Sequence, residues 1–300
     1  MRRVPEHRRR FLPEVFFIFI FLSAAGVCEA VQHKMGVVAS ITPLADFARR
    51  VGGDRVNVTL LLPPGASPHA FEPSPRLVRE IANAVIFIRI GAGLEFWADK
   101  IVSSAGGDLE TITCSDGIPL LRLSDPDGHN AGGVDPHIWL DPTICISIVR
   151  RIAEAFARKD PLSAGYYRAN AEAYAAELSR LDREIAGKVR SFRTREYVTF
   201  HSAWNYFSRR YGLKVIGVIE ESPGKEPAPR HLGKVLADLK RLKAKVVFAE
   251  PQFNPKMAEV LGREAGAEVL ILDPVGGTGG RESYLAMMRY NLAVMEKGLK

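Results

Sequence analysis

The chain has 300 residues, 47% of them hydrophobic and 25% charged, with a formal net charge of +7. That is enough apolar material for one large α/β core or two of ordinary size. The first thirty residues hold five Arg against three Glu, which leaves +5 spread over the rest without a dense basic run; the pattern excludes a polybasic nucleic-acid surface and fits a mildly basic solvated one.

At the N-terminus, Arg2, Arg3, Arg8, Arg9 and Arg10 precede an uncharged apolar run over 15–27. The run is shorter than the roughly 20 residues a bilayer span requires. Cys28-Glu29-Ala30 then offers a small-x-small cleavage site, so the segment reads as a secretory signal peptide with the mature chain starting near Val31. Ala25-Gly26-Val27 is a poor match to the residues that precede a lipid-modified Cys, which points to a free product. After cleavage only Cys114 and Cys145 remain; neither a bridge between them nor a Cys-based metal site is expected.

Strand-like runs at 36–41, 56–62, 84–90 and 111–113 alternate with helical stretches such as 43–51 and 75–82, which reads as four βα units. A helical block follows, starting at Pro142 and continuing from Pro161 to Arg190. In the second part Leu178, Leu181 and Ile185 recur at helical spacing. A helix over 161–190 reaches about 45 Å at 1.5 Å per residue, long enough to act as a stiff spine for two lobes. The first pattern then returns, with strands at 197–200, 214–219, 245–249 and 268–272 and helices at 203–211, 229–242, 254–262 and 283–296. The expected fold is α/β: two (β/α)4 lobes joined by a long rigid helix.

Ligand sites in open α/β sheets lie beyond the carboxyl ends of the strands. His201 and Asp273 each end a predicted strand of the second lobe. In the first lobe His69 follows a strand through Pro63-Pro64-Gly65-Ala66-Ser67-Pro68, and His137 precedes the helical block in Asp135-Pro136-His137. Proline beside these residues restricts the backbone that carries them. Taken singly, each His also reads as a surface or hydrogen-bonded residue. Taken together, three imidazoles and one carboxylate at an interlobe cleft form a candidate tetrahedral zinc site, whereas manganese leans towards oxygen-rich six-coordination.

At these residues the sequence resembles the metal-specific solute-binding proteins of ABC importers, the zinc-uptake (ZnuA-like) and manganese/zinc (TroA-like) group. The motifs that carry the resemblance are Pro68-His69-Ala70-Phe71-Glu72-Pro73, Asp135-Pro136-His137-Ile138-Trp139-Leu140-Asp141-Pro142, Phe200-His201-Ser202-Ala203-Trp204-Asn205-Tyr206-Phe207, Glu250-Pro251-Gln252-Phe253 and Leu272-Asp273-Pro274. The resemblance implies two (β/α)4 lobes on one rigid helix, with His69, His137, His201 and Asp273 as metal ligands. It implies a non-enzymatic periplasmic protein, monomeric, that hands zinc to a membrane permease and its cytoplasmic ATPase. Manganese or ferrous iron is the alternative cargo. The implied division is a signal peptide over 1–30, lobes over 31–158 and 193–300, and a linking helix over 159–192.

Two family features are missing. The loop 124–134 is short and holds only His129, so a metal-collecting role for it is weak, and His129 is expected to be exposed. The Cys pair found in the second lobe of some zinc members is absent. Glu72, Glu226 and Glu250 read as acceptors for the far ring nitrogens of ligand imidazoles, or alternatively as helix caps and surface ion-pair partners. Trp139 and Trp204 read as packing residues near the site. A zinc hydrolase is the competing class, since His69-x-x-Glu72 has a protease-like spacing. It lacks a second His on the same turn, and four protein ligands leave no position open for water.

Overall fold

The first sheet is parallel in the order β2-β1-β3-β4. It is formed by β1 (Met35–Ala39), β2 (Val56–Leu60), β3 (Ile86–Arg89) and β4 (Glu110–Thr113), with α1 (Thr42–Gly52) and α2 (Pro75–Ala82) in the connections. In this computed structural model the described residues are 34–82, 84–99, 102, 109–123, 133–220 and 227–300. The expected signal peptide, His129 and Glu226 lie outside them. Ile86, Phe87 and Ile88 are all fully buried, the continuous apolar run that a parallel strand covered on both faces requires.

Two helices follow: α3 (Pro142–Lys159) and α4 (Ala164–Val189). The expected single helix over 161–190 is shortened at its start. Pro161 to Ser163 form a 3-10 turn, because Asp160 closes α3 by bonding back to Phe156 O and proline at 161 suits only the first turn of whatever follows. The 26 residues of α4 still give an axis of about 39 Å. Exposed pairs Arg150–Glu172 and Arg168–Glu154 join α3 to α4; pairs of this kind contribute little singly.

The second sheet repeats the first in the order β6-β5-β7-β8. It comprises β5 (Glu196–Thr199), β6 (Lys214–Val218), β7 (Val246–Ala249) and β8 (Glu268–Ile271). Helices α5 (Asn205–Tyr211), α6 (Pro229–Arg241) and α7 (Lys256–Ala265) connect them, and α8 (Tyr284–Leu299) ends the chain. Gly212 and Gly266 adopt φ of 69° and 68° and close α5 and α7 in the left-handed conformation, which costs a residue without Cβ little.

One apolar cluster runs from Val37 and Ile88 of the first sheet to Tyr197 and Phe248 of the second. It includes Leu178, Leu181 and Ile185 of α4 and Met288 and Leu292 of α8. The other face of each sheet has its own cluster, around Val38 and Phe87 in one and Val198 and Val247 in the other. A buried carboxylate adds a polar tie: Asp46 Oδ2 on α1 accepts from Tyr174 Oη on α4 at 2.9 Å and from the backbone N–H of Tyr284 on α8 at 3.0 Å. Among the described residues no helix is long and apolar enough to cross a membrane. In each sheet the strand order reverses between the first and third strands, β1/β3 and β5/β7. A ligand crevice is expected off the carboxyl ends at such a point.

Candidate metal centre

His201 lies two residues past the end of β5, and Glu250 directly follows β7. The two strands are neighbours, so sheet register alone brings Glu250 Oε2 to 2.7 Å from His201 Nδ1. The contact falls outside the angular range of a good hydrogen bond. His137 opens the 3-10 turn Ile138–Leu140, and Asp135 Oδ1 accepts from both its backbone N–H at 2.9 Å and its Nδ1 at 2.7 Å. Asn205 Nδ2 donates to the other Asp135 oxygen at 3.0 Å. His69 sits in a loop folded by two turns, Pro63 O to Ala66 N and Ser67 O to Ala70 N.

The three imidazoles converge. His137 Nε2 lies 3.1 Å from His69 Nε2 and 3.3 Å from His201 Nε2. Among the described residues these three form the one group of possible donors lying within 4.8 Å of one another. Zn–N bonds of 2.0–2.1 Å at tetrahedral angles set ligand nitrogens about 3.3 Å apart. The Asp135 carboxylate requires a proton on His137 Nδ1, which leaves the Nε2 of that ring as a bare lone pair, and Glu250 beside His201 Nδ1 favours the same tautomer there. Lone pairs facing each other across this distance repel, and a cation between them removes the repulsion.

Burial keeps His69 and His137 neutral. It pushes His69 down to about 2, with the neighbouring His137 and His201 adding to the effect. It also lowers His137, against the opposing pull of Asp135. These two rings therefore present neutral nitrogen donors. The three His line one cavity with Trp139, Gln252, Phe253 and the turns at Pro68 and Pro274.

Asp273 lies outside this group. Its Oδ1 accepts from Gln252 Nε2 at 3.0 Å, Val275 N at 3.1 Å and Gly276 N at 2.9 Å, and its Oδ2 accepts from Arg281 Nε at 2.8 Å. Asn291 holds its backbone from both sides, accepting from Asp273 N at 2.8 Å and donating to Asp273 O at 2.7 Å.

Of the acidic residues read from the sequence as imidazole partners, Glu250 meets His201, while Glu72 is exposed. Trp139 and Trp204 are fully buried, as packing residues should be. Sequence reasoning missed Asp135, Gln252, Arg281 and Asn291. Asp135 had a local signal, an Asp two residues before a His and separated from it by Pro, the spacing of a side chain that caps its own turn. Cys114 and Cys145 are both buried free thiols.

The family model described as "Zinc-uptake complex component A periplasmic" (ZnuA) matches residues 37–298. The high-affinity zinc uptake system protein ZnuA of Bacillus subtilis is 28% identical over 291 residues, which is 92% of this chain and 91% of the relative. The manganese-binding lipoprotein MntA of Halalkalibacterium halodurans is 31% identical over 297 residues, 95% of this chain and 97% of the relative. A zinc-bound crystal structure of a ZnuA variant lacking residues 138–173 of its own sequence superposes with a TM-score of 0.81 at 30% identity, covering 89% of this chain and 98% of that one.

Proposed function

This chain belongs to the ZnuA family, the non-enzymatic, metal-binding solute-binding proteins of zinc and manganese ABC uptake systems, and on that premise we propose that its cargo is zinc. His69, His137 and His201 are the nitrogen ligands on this reading, and an oxygen completes four-coordination. The observation that supports it best is the convergence of three Nε2 atoms, with Asp135 bonded to the far nitrogen of His137 and Glu250 beside that of His201. A donor set of three imidazole nitrogens favours zinc over manganese, which prefers more oxygens and six positions.

In the same proposal residues 1–30 direct export and are removed, and the mature monomer works in the periplasm. Residues 31–158 and 193–300 form the two lobes, 159–192 the link, and a membrane permease with its ATPase receives the metal. The test is the metal content of protein purified without added metal, followed by competition between zinc and manganese. Zinc should be retained and should displace manganese. The similarity to a manganese-binding relative supports the second reading, manganese as cargo; retention of manganese against equimolar zinc would establish it. His201→Ala should abolish zinc retention on either reading.

A further inference from the structure

The second sheet gathers cations where its strands begin. Arg190 and Arg193 lie between α4 and β5, Lys240, Lys243 and Lys245 lie at the end of α6 and in the turn before β7, and Arg263 lies in the last turn of α7, before β8. No dense basic run marks these residues in the sequence. All four strands are parallel, so every segment that enters a strand arrives on one edge of the sheet. Backbone bonds knit the segments together there: Arg193 N donates to Leu299 O, Lys214 N to Arg195 O and Glu268 N to Lys245 O.

The six cations are exposed, and none pairs with an acid among the described residues. The acids nearby are taken: Glu196 by Lys214, Asp238 by Arg241, Glu268 by Lys297, and Glu296 by Lys188 and Lys300. Of the described acids on this edge only Glu264 is exposed and unpaired. Cations suit helix carboxyl ends, where carbonyls carry partial negative charge, and this accounts for Arg190, Lys240 and Arg263. It leaves Arg193 and Lys245, which lie beyond the helix ends. Lys243 is held at φ 49°, in the left-handed conformation, where α5 and α7 place Gly212 and Gly266. A lysine there stands against the backbone preference.

We infer that this edge adsorbs to an anionic lipid bilayer, its lysines and arginines meeting headgroup phosphates. None of the large exposed hydrophobic side chains among the described residues belongs to the edge. A protein partner would need an apolar centre to bury, whereas cations without one match the diffuse negative charge of lipid headgroups. The chain's family works with a membrane uptake system, which places a bilayer within reach. His201 and Glu250 follow the opposite ends of β5 and β7, so adsorption leaves the metal cavity uncovered. The inference stands whether or not the three histidines hold zinc.

The test is co-sedimentation of residues 31–300 with phosphatidylcholine vesicles, plain or containing about one third phosphatidylglycerol. The chain should bind the anionic vesicles at about 50 mM salt, release them at about 500 mM, and ignore the plain ones. Combining Lys240→Gln, Lys243→Gln and Lys245→Gln should lower the partition coefficient about 10-fold or more, and arginine at the same three positions should keep it. Arg180→Gln, Arg230→Gln and Lys256→Gln together remove as much charge from exposed positions in mid-α4 and at the starts of α6 and α7, and should change binding far less. Equal losses in the two triple variants overturn the inference, since net charge alone then acts. No binding to anionic vesicles overturns it too, as does equal binding to plain ones. Capture by soluble dextran sulfate without vesicle binding overturns it in favour of an anionic polysaccharide. All the replaced side chains are exposed, and thermal unfolding confirms that each variant has folded.

Discussion

The indole N–H of Trp139 donates to the carbonyl oxygen of Pro274 at 2.6 Å, which fastens the turn after His137 to the turn after Asp273. The two residues are 135 positions apart in the chain and belong to segments that follow different sheets. Trp139→Phe keeps an aromatic ring and removes the donor, leaving a buried carbonyl without its partner. The loss should be about 1–3 kcal/mol, read from the urea midpoint of metal-free protein, with weaker zinc binding alongside. An unchanged midpoint means the tie is incidental.

The carboxylates behind the histidines should matter nearly as much as the ligands. Asp135→Asn and Glu250→Gln keep size and remove the charge that orients each ring. Each should weaken zinc by about 10–100-fold in a chelator competition with little change in thermal stability. Affinity within twofold of the parent in both variants rules out the tautomer argument.

Much of this site was legible before any coordinates. His201 at the end of β5 and the histidines beside Pro68 and Pro136 fall where strand ends and restricted loops put them. Glu250 follows from strand order, because β5 and β7 are neighbours. What was not legible depends on contacts between distant segments. Nothing local in Arg281 says that it faces Asp273, eight residues away across a glycine-rich turn, and nothing in Gln252 says which way its amide is turned. The start of the long helix was misplaced by three residues because Pro161 fits a helix N-terminus and a 3-10 turn equally well.

Protons should compete with folding in the metal-free protein. Burial holds His69 down to about 2 and also lowers His137, while both titrate at about 6.5 in the unfolded chain. Above that pH neither state is charged and these groups add no pH dependence. Below it the unfolded chain takes up protons that the folded one refuses, so stability falls as pH falls. Between pH 7.5 and 5.5 His69 alone should contribute a loss of about 1 kcal/mol, with His137 adding in the same direction, measured by urea unfolding of chelator-treated protein. Equal or greater stability at pH 5.5 contradicts the burial argument.

The two thiols should be silent. Burial pushes Cys114 and Cys145 well above the ordinary thiol range, and Cys145 Sγ also donates to Trp139 O at 3.2 Å. A thiol reagent at pH 8 should label neither in the native state and both after denaturation without reductant. One or no reactive thiol after denaturation would show that the pair had oxidised or been blocked.

The two acids that orient the rings have a further consequence for valence. Imidazoles that bind a metal are neutral, Asp273 and Arg281 cancel, and Asp135 and Glu250 together contribute two negative charges at 0% and 1% exposure. A doubly positive ion therefore brings the enclosed region to zero, whereas a monovalent or trivalent ion leaves a net charge sealed from solvent, which a protein interior strongly disfavours. The pocket thus sorts ions by charge number before it sorts them by size.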